Sequence, residues 1–278
     1  MDLLLGMQWN KHHNPFYHTH TLAAMPCLLP KTQEIRIAAK EQGKNTMRIL
    51  GVSGSPRPAR RSGTRALVET VLQGTGSDYE LISLQGRSIS GCIACLRCTA
   101  DNVCKLEDDM ISLREKVAEA DAYVVGAPNH FSGCNALTRA FLERWFQFRH
   151  REGDFLWGKP GVAVGVGGMD GGPPARDIEG QFLQNLVEPV ASVTAVGAAP
   201  CYFCGHGETC GIGVPRMRHG DNVRIEPEII PRVEEQPETM HAATQTGEHL
   251  GRILRDGWDR RQAALRAQER LMDWMAGK

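Results

Sequence analysis

The stretch MRILGVSGS (47–55) decides the fold. Its first half is a short apolar run typical of a buried strand, and its second half is a glycine–serine turn. The segment TRALVETVLQ (64–73) follows with Leu67, Val71 and Leu72 on one side, which predicts a helix. This strand, turn and helix form the first unit of an α/β chain.

The order of elements after residue 73 repeats this unit. Strands are predicted at 79–84, 121–128, 161–167 and 191–200, and helices at 135–148, at 175–188 and directly after Asp108 and Asp109. Strands that alternate with helices of this length predict a parallel sheet covered on both faces. The expected fold is a flavodoxin-like, doubly wound sheet of five strands in the order 2-1-3-4-5, with its ligand site at the carboxyl ends of strands one and three.

Outside this unit the pattern changes. Residues 1–46 are predicted to be an N-terminal extension, with four histidines and no sustained period. Residues 47–200 form the predicted flavodoxin-like domain, with an inserted cysteine loop at about 91–107. Residues 201–278 are predicted to add a second cysteine-containing loop and a C-terminal helical segment packed on the same domain.

Composition narrows the class of protein. The 278 residues contain 32 Lys plus Arg and 32 Asp plus Glu, so the chain lacks the basic excess of a nucleic-acid binder. No apolar run approaches the roughly 20 residues that span a bilayer, and the apolar start has no basic segment before it. We therefore expect a cytoplasmic protein that binds neither nucleic acid nor membrane. In such a compartment nine unevenly placed cysteines indicate metal or redox chemistry rather than disulfides.

The loop GVSGSPRPARRSGT (51–64) has the composition of a phosphate site. Backbone amides, the positive end of the following helix and several polar side chains can all meet a phosphate there; those side chains are Ser53, Ser55, Arg57, Ser62 and Thr64. Neither GxxxxGK[ST] nor GxGxxG is present, and a hydroxyl-rich loop of this kind suits the single phosphate of FMN. A turn that only caps the helix is the alternative.

The third predicted strand ends in APNHFSGCN (127–135), beside the phosphate loop. Backbone amides and the Phe131 ring in such a loop can lie along an isoalloxazine. His130 is equally well explained as an ordinary loop histidine, and Cys134 as a small buried residue.

Four cysteines lie within 13 residues in GCIACLRCTADNVC: Cys92, Cys95, Cys98 and Cys104. The spacing Cys-x2-Cys-x2-Cys-x5-Cys favours a [4Fe–4S] cluster, with structural zinc and free thiols as alternatives. A second group follows the fifth strand: Cys201, Cys204, His206 and Cys210. It has the donor atoms for a second metal site of unknown identity, and plain structural thiols explain it equally well.

The run from Met47 to about Leu142 resembles the iron–sulfur flavoproteins of the flavodoxin-like NADPH-dependent FMN reductase superfamily. The matching pieces are ILGVSGSPR with Ser62-Gly63-Thr64, the compact cysteine motif, EADAYVVGAPNHFSG and AFLERW. The resemblance implies FMN and one [4Fe–4S] cluster per subunit, a homodimer or homotetramer, and a ferredoxin-like electron donor. It implies that the phosphate-loop side chains hold FMN phosphate, that the four clustered cysteines ligate the [4Fe–4S] group, and that the isoalloxazine is lined by Pro128, Asn129, His130, Phe131 and Gly133.

The sequence therefore predicts a redox flavoprotein that passes electrons from a one-electron donor through a [4Fe–4S] cluster and FMN to an unknown acceptor. The alternative is an NAD(P)H-dependent FMN or quinone reductase whose cysteines hold structural zinc or remain free. A third reading is a zinc-bound interaction module without turnover. No catalytic side chain is predicted.

Overall fold

The computed structural model describes residues 47–150 and 155–277, so the predicted N-terminal extension lies outside the described residues. The strands are β1 (Ile49–Ser53), β2 (Tyr79–Ser83), β3 (Ala122–His130), β4 (Gly133–Cys134), β5 (Pro160–Gly167) and β6 (Glu188–Val196). Five of them are parallel, in the order β2-β1-β3-β5-β6, and β4 pairs antiparallel with the end of β3. With the two-residue β4 set aside, this is the predicted order 2-1-3-4-5, and the flavodoxin-like fold is confirmed.

The central strand β1 sets the position of the carboxyl edge. All five of its residues are buried, because β2 and β3 pair with it on either side and helices cover both faces. In the parallel register Ser53 lies opposite Gly126 of β3. The chain therefore leaves β1 and β3 at neighbouring points of one edge, where the strand order reverses and ligands of such sheets bind.

The helices are α1 (Gly63–Gly74), α2 (Met110–Glu119), α3 (Ala136–Glu143), α4 (Gly172–Gln184), α5 (Val214–His219), α6 (Pro237–Arg255) and α7 (Arg260–Met275). Side chains alternate along the strands, so that Leu50 and Val52 face the layer of α2, α3 and α4, whereas Ile49 faces α1 and α6. The last helix, α7, packs against the end of α4. Among the described residues, no helix combines the length and the apolar character needed to cross a bilayer.

Three predicted elements had wrong boundaries. The helix predicted at 175–188 spans Gly172–Gln184, because the chain turns at Asn185 and passes through a left-handed Leu186 (φ 52°) into β6. Strand β6 consequently begins at Glu188, three residues before the predicted start at 191, and it ends at Val196, four residues before the predicted end at 200. The helix predicted at 135–148 is α-helical only to Glu143 and continues as a 3₁₀ helix over Arg144–Arg149.

The segment after residue 200 contributes to the same core. Ala243 and Leu250 of α6 are buried together with the apolar face of α1. Short α5, which the sequence analysis left inside a loop, begins with a proline in its first turn. The domain limits at 46 and 200 stay a prediction.

Candidate functional site

Loops from three strands meet at the carboxyl edge. The amide of Gly54 donates to the carbonyl of Gly126 (2.8 Å), which joins the loop after β1 to β3. Asn129 Nδ2 donates to the carbonyl of Asp170 (2.7 Å), which joins the end of β3 to the loop after β5. These two bonds hold the loops at this edge in fixed positions relative to one another.

The phosphate loop keeps its hydroxyl groups inside the protein. Ser53, Ser55, Ser62 and Thr64 are all buried. Ser62 Oγ accepts the Arg65 amide (3.0 Å) and caps α1, so the helix-capping interpretation is correct for this residue. A serine that accepts at an N-cap still has its own proton to donate, and the first-turn amides of α1 have no partner within the helix. The loop thus combines buried hydroxyls with a helix N-terminus, as a phosphate group requires.

Arg57 is directed towards the segment that follows β6. Its Nη1 donates to the carbonyl of Ala198 (2.8 Å), and its guanidinium lies 5.6 Å from the centroid of the Phe203 ring. Burial lowers the pKa of Arg57. One guanidinium nitrogen of Arg57 is thus already bonded to the backbone. The contact of Arg57 with phosphate stays a prediction.

The predicted isoalloxazine loop is a tight hairpin between β3 and β4. His130 pairs with Gly133 across it, and Phe131 (φ 52°) and Ser132 (φ 64°) form its two-residue tip. Left-handed conformations at both positions are those of a type I′ turn, which glycine and asparagine adopt more easily than phenylalanine. The Ser132 amide donates to Asn129 Oδ1 (3.0 Å), and Phe131 is fully exposed at the tip. The hairpin therefore holds an apolar ring in water on a strained backbone, as happens at functional sites.

Behind the hairpin, Asp177 of α4 joins two elements. Its carboxylate accepts the Cys134 amide (3.1 Å) and pairs with Arg139 (2.6 Å). Burial, and after it the charge of Asp177, raises the pKa of the Cys134 thiol. Cys134 is therefore a neutral thiol at physiological pH, in agreement with its interpretation as a small, largely buried residue.

Helix α3 holds the phosphate loop through two buried residues that the sequence analysis missed. Asn135 Nδ2 donates to the carbonyl of Gly54 (2.9 Å), and Thr138 Oγ1 donates to Asn135 Oδ1 (2.5 Å). A side chain on Gly54 would overlap Thr138 Oγ1, which a Cβ there would approach to 1.8 Å. The available signal was an asparagine at a helix start, but that signal predicts a cap on its own helix, and Asn135 bonds another loop instead.

The cysteine loop follows β2 and lies at the same edge. Cys98 is buried and Cys104 half-buried, whereas Cys92 and Cys95 are exposed. Burial, and after it the nearby Cys104, Cys92 and Cys95, raises the pKa of Cys98. The loop coils through three left-handed residues, Ala94, Leu96 and Asn102.

The end of α3 and its 3₁₀ extension form hydrogen bonds to the backbone of the cysteine loop. Glu143 Oε2 accepts the Cys92 amide (3.3 Å), and Gln147 Oε1 accepts the Cys104 amide (3.0 Å). Between them, Arg144 forms a buried ion pair with Asp108. These polar residues were not predicted from the sequence, although the spacing three after Phe141 and four before Phe148 puts Arg144 on the inward face.

The donor set of this region suits a metal–sulfur group. Among the residues that the structure describes, no three Cys, His, Asp or Glu side chains are arranged to hold a metal ion. Four thiols of this spacing match the ligands of an iron–sulfur or zinc site. The buried Nε and Nη2 of Arg144 have no hydrogen-bond acceptor within the described part of the chain, which fits a negatively charged group nearby. The ligand set of Cys92, Cys95, Cys98 and Cys104 stays a prediction.

The second cysteine group forms a local turn. Cys204 Sγ accepts the His206 amide (3.4 Å) and lies 3.4 Å from the carbonyl of Cys201, and the Cys210 amide donates to the carbonyl of His206 (2.9 Å). Cys204 and His206 are exposed, whereas Cys201 and Cys210 are half-buried. The second metal site at these residues also stays a prediction.

The chain is similar to several known proteins. The family described as NADPH-dependent FMN reductase matches residues 47–187. An iron–sulfur flavoprotein of Methanocaldococcus jannaschii is 34% identical over 48% of this chain and 68% of its own length. An iron–sulfur flavoprotein of Archaeoglobus fulgidus is 31% identical over 43% of this chain and 62% of its own length. The solved structure of RosB with bound 8-demethyl-8-formylriboflavin-5'-phosphate is 20% identical, with a TM-score of 0.49, over 81% of this chain and 87% of that one.

Proposed function

Since the chain belongs to the NADPH-dependent FMN reductase family and to its iron–sulfur flavoproteins, we propose that it transfers electrons from a one-electron donor, through a [4Fe–4S] cluster and FMN, to an acceptor. Membership of the family makes the chain an FMN-dependent oxidoreductase and confirms the resemblance identified in the sequence. The cluster, its ligands, the donor and the order of transfer are the proposal.

In this proposal the phosphate loop binds the FMN phosphate. The buried hydroxyls of Ser53, Ser55, Ser62 and Thr64 and the first-turn amides of α1 donate to it. The hairpin at 128–133 lies along the isoalloxazine, with Phe131 as its apolar contact. Asn135 keeps the phosphate loop in place through the Gly54 carbonyl.

The cysteine loop holds the cluster in the same proposal. Cys92, Cys95, Cys98 and Cys104 are the ligands, and Glu143 and Gln147 fix the two ends of the loop through backbone amides. An iron–sulfur cluster supplies electrons singly and a flavin takes one or two, so the pair joins one-electron delivery to two-electron chemistry.

One observation carries the proposal: a single helix anchors both loops. The start of α3 bonds the phosphate loop at Gly54, and its end bonds the cysteine loop at Cys92. Both loops leave the sheet at its carboxyl edge, where ligands of doubly wound folds bind. This arrangement supports the proposal, because one helix holds both of the loops that the proposal assigns to the two redox groups.

Metal and flavin analysis of anaerobically purified protein tests the proposal. We expect about four iron, four sulfide and one FMN per chain, from the four-thiolate ligation of a cubane cluster. Cys95→Ala should lose iron, sulfide and the EPR signal of the reduced cluster while FMN remains bound, because the two sites use different loops. Cys134→Ala is the matched control and should keep both groups. Zinc without sulfide, or loss of FMN together with iron in Cys95→Ala, would refute the proposal.

The description of the family favours a second candidate, an NAD(P)H-dependent reductase of FMN or quinones. Mixing anaerobic protein with NADPH or with a reduced ferredoxin separates the two donors. Rapid bleaching of the flavin by NADPH in the iron-free Cys95→Ala variant would establish the second candidate. Reduction by ferredoxin that is fast in the wild type and lost in Cys95→Ala would establish the first.

We also propose that the chain forms a homodimer or homotetramer. Large apolar side chains are exposed on several loops of the carboxyl edge, including Ile93, Leu96, Phe131 and Phe203. Exposed apolar groups of this size mark interaction surfaces when they are contiguous. Light scattering coupled to gel filtration tests this, and a monomer at micromolar concentration would contradict it.

A further inference from the structure

Arg144 is a buried cation with an incomplete set of partners. Its side chain is 1% exposed and that of Asp108 is 7% exposed. Nη1 bonds Asp108 (2.5 Å) and the carbonyl of Ser90 (3.1 Å), whereas Nε and Nη2 are buried without an acceptor among the described residues. Leaving charged donors unpaired inside a protein destabilises it more than leaving neutral ones unpaired, so the two nitrogens require an explanation.

The group nearest to explain them is Cys104. Gln147 holds the Cys104 amide through Oε1 and donates its Nε2 to the carbonyl of Arg144 (3.0 Å), so one short bridge joins the cysteine to the arginine. The Cys104 side chain is among the groups that act on the guanidinium of Arg144, so the two lie next to each other.

We propose that Arg144 is a positioning residue of the cluster, with Nε and Nη2 donating to the Cys104 sulfur or to an inorganic sulfide beside it, and that it raises the reduction potential. The inference rests on the proposed function. A fixed cation and N–H donors stabilise the reduced cluster, which carries one more negative charge, more than the oxidised one. Reduction adds one electron and requires no proton from Arg144.

Asp108 fixes the arginine in this arrangement. Its carboxylate also accepts the amides of Ser90 (3.0 Å) and Met110 (3.0 Å), so it is held independently of Arg144. Only one guanidinium nitrogen is used for the ion pair. The ion pair with Asp108 uses Nη1 and therefore does not explain why Nε and Nη2 are also buried.

A measurement on the wild-type protein tests the contact. The full chain, labelled with ¹⁵N-arginine and reduced with dithionite, is studied by pulsed EPR. We expect a ¹⁵N coupling to the cluster that persists in Arg97→Lys, where the arginine beside Cys95 is removed, and disappears in Arg144→Lys. Absence of the coupling in the wild type, or its persistence in Arg144→Lys, would overturn the inference while iron and sulfide content still support the proposed function.

An EPR-monitored redox titration tests the effect on the potential. Arg144→Gln should lower the ratio of reduced to oxidised cluster at least tenfold at a fixed applied potential, which is 59 mV for a one-electron couple. Arg149→Gln removes a charge from the same 3₁₀ helix, where the arginine lies over Phe146, and should change the ratio less than twofold. Equal shifts in the two variants would overturn the inference. If Arg144→Gln does not fold, Asp108→Asn/Arg144→Gln, which leaves no lone buried charge, gives the same comparison. Wild-type protein without iron and sulfide would instead refute the proposed function.

Discussion

Replacing Asn135 with alanine should loosen the phosphate loop and weaken FMN binding. The change removes the donor to the Gly54 carbonyl and the acceptor of the Thr138 hydroxyl, and both groups are buried. Each buried group left unpaired costs about 1–3 kcal/mol, so the free energy of unfolding should fall by about 2–6 kcal/mol. For a chain of this size, at about 2–4 °C per kcal/mol, that lowers the melting temperature by roughly 4–24 °C.

FMN affinity is the second readout for the same variant. Two net hydrogen bonds of about 0.5–1.5 kcal/mol each hold the loop in its binding geometry, so the Kd for FMN should rise about tenfold to hundredfold. Fluorescence titration of FMN-free protein measures the Kd, and calorimetry measures the melting temperature.

Asn185→Ala is the matched control. Asn185 is also buried and donates to the carbonyl of Gln181 (2.8 Å), but it lies at the end of α4, at the opposite edge of the sheet. It should lower the melting temperature without changing the Kd for FMN. Equal effects of Asn135→Ala and Asn185→Ala on FMN affinity would refute the role assigned to Asn135.

Three further outcomes are expected. Asp108→Asn should lower the free energy of unfolding at pH 7 by about 3–5 kcal/mol, the cost of breaking a buried ion pair. Burial raises the pKa of Asp108, but the Arg144 ion pair and the backbone amides lower this pKa overall, so the stability is present above about pH 4 and is lost as the pH falls through the folded-state pKa. Urea unfolding curves of the wild type and the variant should therefore converge in acid. Phe131→Gly should raise the free energy of unfolding by about 0.5–1 kcal/mol by relieving a left-handed phenylalanine and should weaken FMN binding, so a less stable variant in thermal melts would contradict the strain described here. Cys134 should react with iodoacetamide at pH 8.5 at least tenfold more slowly than in urea-unfolded protein, because its raised pKa keeps the thiol protonated, and equal rates by peptide mass spectrometry would contradict this.

The sequence predicted the elements that depend on local pattern. The alternation of strands and helices gave the strand order, and Ser62-Gly63-Thr64 marked both a helix cap and a loop of buried hydroxyls. These features are determined by neighbours along the chain. The boundary between α4 and β6 at 185–188 was not predicted, because it depends on the left-handed conformation of Leu186. Leucine rarely adopts this conformation, so its presence in the sequence does not indicate a turn.

The supporting residues were not predictable from local pattern. Asn135 bonds Gly54 across 81 positions, and Gln147 bonds the Cys104 amide across 43. Such contacts arise only when α3 is packed against two loops from other strands. The burial of Arg144 could be predicted, because it lies on the apolar face of its helix. Its partners, Asp108 and the Ser90 carbonyl, could not be predicted, because they come from segments that are distant in the sequence.

The shared anchorage of the two loops on α3 limits how this chain can diverge. Between Asn135 and Glu143 the backbone rises about 1.5 Å per residue, so the attachment points stand roughly 12 Å apart along the axis. Inserting or deleting one residue there would swing one attachment about 100° around the axis relative to the other. Length variation among homologues should therefore accumulate in exposed stretches such as 58–61, while the span from 135 to 143 keeps a constant number of residues.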